Sequence, residues 1–218
     1  MVRVVVADDF RLYRQYFEMY VKSSSNYELE MSCSSADQAV EWCKDHTPDL
    51  IIMDILMRSG IDGISAAEKI KKQKPSIRII LATSTAEATW EKRALMAGVE
   101  GFWYKEYSDT SLLEIMDRVM AGESVYPSES PNISLGQASR AELTERELDV
   151  LRELTAGYTN EGIAERLGIS VNTVRFHIQN LLSKTGFESR LDLAMNARAD
   201  QFVVSEHERL LGQEEKKE

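Results

Sequence analysis

The stretch Leu50–Asp54 reads Leu-Ile-Ile-Met-Asp, four apolar residues followed directly by a carboxylate. A short apolar run without polar alternation is typical of a strand buried on both faces of a parallel sheet. Similar runs occur at Val4–Ala7, Ile79–Ala82 and Phe102–Tyr104, and a polar residue follows each of them. The pattern therefore predicts that these runs are strands of one parallel sheet.

Helical patterns separate the apolar runs in the first half of the chain. The predicted strands cover residues 2–7, 28–33, 50–54, 78–83 and 101–104. The predicted helices cover residues 10–22, 36–46, 64–74, 86–97 and 109–122. Alternating strands and helices are typical of an α/β fold with a doubly wound parallel sheet, here five-stranded.

The polar residues that follow the strands carry the chemistry: Asp8, Asp9, Asp54, Thr83 and Lys105. Because functional groups collect at the carboxyl ends of strands in an open α/β sheet, we expect these five residues to meet. Three packed carboxylates repel one another unless a cation neutralises them, and Mg²⁺ prefers such oxygen ligands. One carboxylate can accept a phosphoryl group, whose oxygens an ammonium and a hydroxyl can hold. The residues therefore predict a phosphoryl-transfer site.

These five residues resemble the acid pair, phosphoacceptor, switch hydroxyl and lysine of bacterial response-regulator receiver domains. The resemblance covers about residues 1–123 and includes the intervals between the residues as well as their types. It implies the flavodoxin-like form of the sheet, and it implies that a sensor histidine kinase phosphorylates Asp54. By the same resemblance Thr83 would be the switch hydroxyl. Phe102, three residues before Lys105, stands where the family has its switch aromatic and would turn inward after phosphorylation of Asp54.

The same resemblance implies a magnesium site. Asp9, Asp54 and the backbone carbonyl of Leu56 would bind Mg²⁺, with Asp8 acting through a water molecule. The loop after Asp54 departs from the family pattern, because Arg58 stands where Pro is usual and one extra residue precedes Gly63. Loss of Pro loosens a loop. The substitution also brings a cation beside the acid pocket, which bears on the lifetime of the phosphorylated state.

Composition changes after residue 123. Residues 124–141 contain Pro127, Pro131 and several Ser with weak periodicity, which predicts a linker. Residues 142–200 then predict an all-α domain of four helices, with a capping box at Thr144 and Glu147 before the first of them. Residues 201–218 end in a charged run and predict a solvated tail.

The second and third of these helices are joined by a short turn at Gly168–Ser170, which predicts a helix-turn-helix. The apolar positions of the third helix, about residues 171–184, should face the core: Val174, Ile178, Leu181 and Leu182. Its other face carries residue types that can contact bases and phosphates: Asn172, Thr173, Arg175, Phe176, Gln179 and Lys184.

Residues 142–199 resemble the LuxR-type helix-turn-helix, and a receiver followed by this module is the architecture of the NarL/FixJ family of response regulators. The resemblance implies that Arg175, Phe176 and Gln179 face the bases. It implies phosphate contacts for Asn172, Thr173, His177 and Lys184. The family more often has Lys at the position of Gln179, so we expect a different sequence preference and weaker sequence-independent binding.

Charge sets further limits on DNA binding. The net charge of -10 argues against general affinity for nucleic acid, so DNA contacts must come from a local patch. Between Thr144 and Ala199 there are seven Lys or Arg and eight Asp or Glu, which favours two copies on paired half-sites. The expected partners are DNA, a sensor histidine kinase and a second copy of the phosphorylated chain, with RNA polymerase a further candidate.

The remaining features indicate a cytoplasmic protein. No apolar stretch approaches the roughly 20 residues of a membrane span. The strand that begins at Val2 leaves no room for a signal peptide. Cys33 and Cys43 lack the spacing of metal ligands and are expected to be buried, reduced thiols.

Two other functions stay open at this point. Aspartate-nucleophile phosphohydrolases also have Asp after a buried strand, but they typically have a second Asp two residues later, where this chain has Leu56. Arg58 keeps open a DNA-binding regulator whose receiver responds to a partner or ligand instead of phosphate. We predict a two-component response regulator, not an enzyme, in which phosphorylation of Asp54 controls dimerisation and sequence-specific DNA binding.

Overall fold

The computed structural model describes residues 1–58, 60–87, 89–106, 108–128, 133–200 and 202–203. The chain divides into two compact units. The first consists of Met1–Ser84 and Trp90–Glu129, and the second of Thr85–Thr89 and Ser130–Glu218. Every helix in the described ranges is too short or too polar to traverse a lipid bilayer.

A five-stranded sheet forms the centre of the first unit. Its strands are β1 (Val2–Ala7), β2 (Tyr27–Cys33), β3 (Leu50–Asp54), β4 (Arg78–Thr83) and β5 (Gly101–Tyr104). They lie in the order β2-β1-β3-β4-β5, and every neighbouring pair is parallel. This is the flavodoxin-like order, which confirms the predicted doubly wound α/β sheet.

Four helices connect the strands: α1 (Arg11–Ser23), α2 (Ala36–Asp45), α3 (Gly63–Gln73) and α4 (Trp90–Met96). A fifth helix, α5 (Leu112–Met120), follows the last strand. All five residues of β3 are buried, which explains why its sequence shows no polar alternation before Asp54. Cys33 and Cys43 are buried free thiols, as predicted.

Two helices begin later than the sequence predicted, and local hydrogen bonds explain both differences. Before α4, which begins at Trp90, the Glu87 carboxylate accepts a hydrogen bond from the Thr89 amide at 2.9 Å. Such bonds between a side chain and nearby backbone compete with helix formation. Helix α5 begins at Leu112 because the Ser111 hydroxyl caps it, accepting a hydrogen bond from the Glu114 amide.

The second unit is mostly helical. Its elements are β6 (Ser134–Leu135), β7 (Ala138–Ser139), a 3-10 helix (Arg140–Glu142), α6 (Glu145–Thr155), α7 (Asn160–Leu167), α8 (Val171–Thr185) and α9 (Arg190–Ala199). Between α7 and α8 the backbone turns at Gly168, whose φ is 63°, and Ser170 caps α8. The predicted helix-turn-helix and its four helices are therefore confirmed.

Parts of the predicted linker and tail belong to the domain cores. Val125 forms a parallel bridge with Gly101, so the sheet unit extends beyond residue 123. The antiparallel hairpin β6-β7 buries Leu135 in the second core, so that unit is not all-α. The prediction of a solvated tail from residue 201 is wrong for Phe202 and Val203, which are buried.

These corrections share one physical reason. The apolar residues concerned stand in runs of one to three within polar sequence, and such short runs show neither helical nor strand periodicity. Burying them still removes apolar surface from water, which stabilises the folded domain. The rest of the predicted tail, residues 204–218, lies outside the described residues.

Candidate functional site

The sheet register brings the predicted site residues to one edge. Ala7, the last residue of β1, pairs with Met53 of β3, so Asp8 and Asp54 both lie at the carboxyl ends of their strands. Thr83 pairs with Tyr104, which places Lys105 directly beyond the end of β5. A backbone hydrogen bond joins the ends of β4 and β5 here: the Lys105 amide donates to the Thr83 carbonyl at 2.8 Å.

Asp8, Asp9 and Asp54 form an acidic cluster. Each offers a carboxylate oxygen, and these oxygens all lie within 4.8 Å of one another. Asp8 is completely buried and Asp54 is 6% exposed. Three hard oxygen ligands at this separation suit a small divalent cation. The cluster could therefore hold a metal ion, as the sequence predicted.

Lys105 supplies a positive charge inside this pocket. Its ammonium donates to Asp8 Oδ2 and to Asp54 Oδ1, both at 2.7 Å, and its side chain is 2% exposed. The ammonium also lies 4.4 Å from the centre of the Tyr13 ring and 5.5 Å from that of Phe17. These two aromatic residues of α1 stabilise the cation through their ring faces. The sequence contained no signal for this contact, because it depends on how α1 packs on the sheet.

The pocket changes the acidity of its carboxylates. Burial raises the pKa of Asp54 to about 7, and although Lys105 opposes the change, the charges of Asp8 and Asp9 add to it. Burial also raises the pKa of Asp8, again against the effect of Lys105. One buried ammonium thus does not offset the burial of both acids, which is the electrostatic condition that favours a bound cation.

Arg58 is the second cation at the pocket. Its backbone amide donates to Asp9 Oδ2 at 2.9 Å, and its Nε lies 3.2 Å from the same oxygen. The sequence predicted a cation near the pocket but not which carboxylate it would contact. In the structure Arg58 contacts Asp9.

Local hydrogen bonds join the loop after β3 to the end of that strand. The Gly63 amide donates to the Ile55 carbonyl at 3.0 Å, and Asp62 caps α3. A Cβ atom at Gly63 would lie 2.0 Å from the Asp54 carbonyl oxygen, so only glycine fits there. Leu56, the predicted backbone ligand, lies in this loop directly after β3.

Thr83 and Phe102, the predicted switch pair, are both buried, each at 1% exposure. Phe102 contacts Tyr104 edge-on with 5.1 Å between ring centres, and its ring stacks on Tyr126 at 6.2 Å. The sequence predicted that Phe102 turns inward after phosphorylation. In this structure it is already inside, because two aromatic neighbours enclose it.

Helix α8 has a buried apolar face and an exposed face, as the sequence predicted. Val174, Ile178 and Leu181 are buried in the core, and Leu182 is partly buried against it. Four of the predicted DNA contacts are exposed: Asn172, Arg175, Phe176 and Gln179. Phe176 is 60% exposed.

The other three predicted DNA contacts are half-buried: Thr173, His177 and Lys184. The Thr173 amide donates to the capping hydroxyl of Ser170 at 3.1 Å. His177 has a buried Nδ1 without a hydrogen-bond partner among the described residues. The Lys184 ammonium donates to Glu147 Oε2 at 2.7 Å and to the Glu142 carbonyl at 2.9 Å, which ties α8 to the start of α6.

Each half of the chain matches the profile of a known protein family. The profile of the response regulator receiver domain matches residues 4–117, and that of bacterial regulatory proteins of the luxR family matches residues 141–197. The chain belongs to the response regulators. It is a response regulator in which a receiver is followed by a LuxR-type DNA-binding domain, as in the NarL/FixJ family.

Relatives of this response regulator have the same two-part architecture over almost their whole length. Response regulator protein VraR of Staphylococcus saprophyticus is 32% identical over 201 residues, covering 90% of this chain and 96% of the relative. VraR of Staphylococcus aureus has the same identity and coverage. The similarity therefore includes both units and the segment that connects them.

Solved structures show the same fold. RcsB of Salmonella enterica serovar Typhimurium, bound to promoter rprA in the presence of the phosphomimetic BeF3-, has a TM-score of 0.62 and 22% identity, covering 94% of this chain and all of RcsB. An RcsB–DNA complex has a TM-score of 0.61 and 20% identity, covering 91% of this chain and 98% of RcsB. At these identities the likeness concerns the fold.

Proposed function

We propose that this response regulator is switched by phosphorylation of Asp54 by a sensor histidine kinase. The observation that carries the proposal is the contact of one buried ammonium, Lys105, with two carboxylates of a three-carboxylate cluster. In the transfer, an oxygen of Asp54 bonds to phosphorus while the bond from phosphorus to the histidine nitrogen of the kinase breaks. Lys105 remains to pair with the new phosphoryl oxygens.

The cluster fits Mg²⁺, because its donors are oxygens only and its three acids have too little positive charge around them. Asp9, Asp54 and the backbone carbonyl of Leu56 would hold the ion, with Asp8 acting through water. When bound, Mg²⁺ supplies positive charge that offsets the negative charge of the phosphoryl group during transfer. The chain itself orients the acceptor, since the Lys105 ammonium fixes Asp54 Oδ1.

Phosphorylation would act through Thr83 and Phe102. The phosphoryl group would attract the hydroxyl of Thr83, the last residue of β4. Phe102 lies on the neighbouring strand β5, and a shift of Thr83 alters the space around it. The surface of α4, β5 and α5 would then form the receiver dimer. Exposed apolar side chains occur on α4, at Leu95 and Met96, and also on α1, at Leu12 and Met19, so the surface of α1 and α5 is the alternative.

The DNA-binding unit would read its site with α8. Arg175, Phe176 and Gln179 would face bases in the major groove. Asn172, Thr173, His177 and Lys184 would lie at phosphates. Helix α9 would join the DNA-binding units of two copies of the chain. Leu193 is buried in the core of its own unit, while Leu191 and Met195 are 63% and 61% exposed. A chain with this function works on DNA in the cytoplasm, where RNA polymerase is a candidate partner.

Intact-mass measurement after incubation with Mg²⁺ and a small acyl phosphate tests the proposal. We expect one acid-labile phosphoryl group on the wild-type chain and none on Asp54→Ala. Asp9→Ala should require more Mg²⁺ for the same labelling. Labelling that persists in Asp54→Ala would exclude Asp54 as the acceptor.

One observation favours a second candidate function. Arg58 contacts Asp9, one of the proposed metal ligands, and this contact favours a receiver that responds to a partner or ligand instead of phosphate. In that case the phosphodonor would leave the mass, the sedimentation and the DNA affinity of the chain unchanged. Mass and sedimentation measured on one sample separate the two functions.

A further inference from the structure

The three carboxylates of the acid pocket are divided between two cations. Lys105 contacts Asp8 and Asp54, and Arg58 contacts Asp9. The two cations differ in their freedom to move, because the side chain of Lys105 is 2% exposed and that of Arg58 is 57% exposed. Arg58 can therefore leave its partner for solvent, whereas Lys105 cannot.

The carboxylate that Arg58 contacts is the most accessible of the three. The side chain of Asp9 is 12% exposed, against 0% for Asp8 and 8% for Asp54. Both contacts of Arg58 fall on one oxygen, Asp9 Oδ2, with the backbone amide at 2.9 Å and Nε at 3.2 Å. When a cation enters the cluster from solvent, this oxygen is already in contact with Arg58.

The loop that carries Arg58 is held in place on its other side. Asp37 at the start of α2 accepts a hydrogen bond from the Ile61 amide at 3.0 Å. Gly60 has a φ of 82°, and a Cβ atom there would lie 1.6 Å from Asp37 Oδ2. Residues 60 and 61 are thus fitted closely against α2. The Arg58 backbone is held on Asp9 by its own amide hydrogen bond, which leaves its side chain as the movable part.

We propose that Arg58 is a competitor, built into the chain, for the divalent cation at Asp9. Its guanidinium neutralises Asp9 when no metal is bound and must withdraw from Asp9 Oδ2 when Mg²⁺ enters. The proposal rests on the proposed function and deepens it, since it makes Arg58 a positioning residue that sets how much Mg²⁺ the receiver requires. A proline, which is usual at this position in the family, carries no charge and would leave Asp9 available to the metal.

The size of the effect follows from the exposure of the pair. Exposed ion pairs contribute little, so removing the guanidinium should tighten Mg²⁺ binding roughly two- to fivefold rather than by orders of magnitude. The effect should shrink as ionic strength rises, because salt screens an exposed charge. Arg58→Lys keeps the charge but lacks Nε, so its affinity should fall between those of the wild type and Arg58→Gln.

Calorimetric titration of the full chain with MgCl2 tests the proposal. Arg58→Gln should bind Mg²⁺ roughly two- to fivefold more tightly than the wild type. Arg118→Gln is the matched control: it removes an exposed arginine of α5 that pairs with Glu123 at 2.8 Å, and it should bind Mg²⁺ like the wild type. Equal affinity in Arg58→Gln and the wild type would overturn the proposal, as would an equal gain in the control.

A spectroscopic measurement supplies a second readout. The Nε–Hε NMR signal of Arg58, assigned by its loss in Arg58→Gln, should move towards the position of a solvent-exposed arginine as Mg²⁺ is added. A signal that stays unchanged at saturating Mg²⁺ would contradict withdrawal of the side chain.

The outcomes distinguish this inference from the proposed function. If the wild type binds Mg²⁺, Asp9→Asn does not, and Arg58→Gln is unchanged, only the role of Arg58 fails. If neither the wild type nor Arg58→Gln binds Mg²⁺, the metal site of the proposed function fails together with the inference.

Discussion

At the scale of single residues, the pocket is arranged for a reaction rather than for stability. Asp54 and Asp8 are buried together, and one ammonium must serve both. Burial holds the pKa of Asp54 near 7, so ionising it in the folded chain without a metal costs free energy that the unfolded chain does not spend. Groups retained at such a cost are typical of functional sites.

Asp54→Asn should therefore stabilise the first unit when no divalent cation is present. At pH 8 the substitution removes one buried negative charge, and we expect the free energy of unfolding to rise by about 1–2 kcal/mol. Tryptophan fluorescence reports this unit alone, because Trp42, Trp90 and Trp103 all lie in it. A lower melting temperature for Asp54→Asn would contradict the electrostatic account, and Mg²⁺ should stabilise the wild type more than the variant.

Gly63 gives a second residue-scale prediction. A methyl group at this position would lie 2.0 Å from the Asp54 carbonyl oxygen, so Gly63→Ala should destabilise the first unit by about 1–3 kcal/mol. Gly162→Ala is the matched control, since its nearest neighbour would be 3.5 Å away, and in α7 it should stabilise by up to about 1 kcal/mol. Denaturant titration followed by fluorescence and by circular dichroism measures both, and equal effects of the two variants would refute the close approach.

At the scale of elements, an ion pair joins α8 to the capping box at the start of α6. Thr144 and Glu147 cap each other, and Lys184 donates to the same Glu147 carboxylate. Burial would raise the pKa of Glu147, but hydrogen bonds from Lys184 and Thr144 prevail and lower it. The ionised carboxylate is thus the form that the folded unit prefers.

Lys184→Gln should therefore destabilise the second unit in a pH-dependent way. Because the folded state lowers the pKa of Glu147, the stabilisation is fully present above the ordinary glutamate value of about 4.3 and is lost as pH falls below it. We expect a loss of about 1–2 kcal/mol at pH 7 that narrows below about pH 4, measured by circular dichroism. Unchanged stability would contradict this role of Lys184. A phosphate contact of the same ammonium would show separately, as a salt slope of DNA binding reduced by about 1 in the variant.

The sequence predicted the elements well where a periodic run coincided with a capping residue. Ser35, Thr144 and Ser170 all cap helices in the structure. The hairpin at Ser134–Ser139 could not be predicted, because strands of two residues show no period. The five pocket residues were predictable from strand ends, whereas the contact of Arg58 with Asp9 depends on the path of a loop.

At the scale of the whole molecule, the chain combines an acidic overall charge of -10 with an exposed face on α8. A nearly neutral DNA-binding unit gains little from general attraction to phosphates, so specific contacts must supply most of its affinity. Arg175→Ala should weaken binding to a selected site by about 1–3 kcal/mol and relax the preference at one base pair. On unrelated DNA the same variant should lose much less, and equal losses on both would assign Arg175 to a phosphate.

The central claim is that a phosphoryl group on Asp54 controls DNA binding. Its most direct test is the fluorescence anisotropy of a labelled, selected DNA site, titrated with wild-type chain and Asp54→Asn, with and without a small acyl phosphate, in the presence of Mg²⁺. The account predicts that the phosphodonor tightens binding by the wild type and leaves Asp54→Asn unchanged. Equal affinity of the wild type with and without the phosphodonor, or a gain that persists in Asp54→Asn, would contradict it.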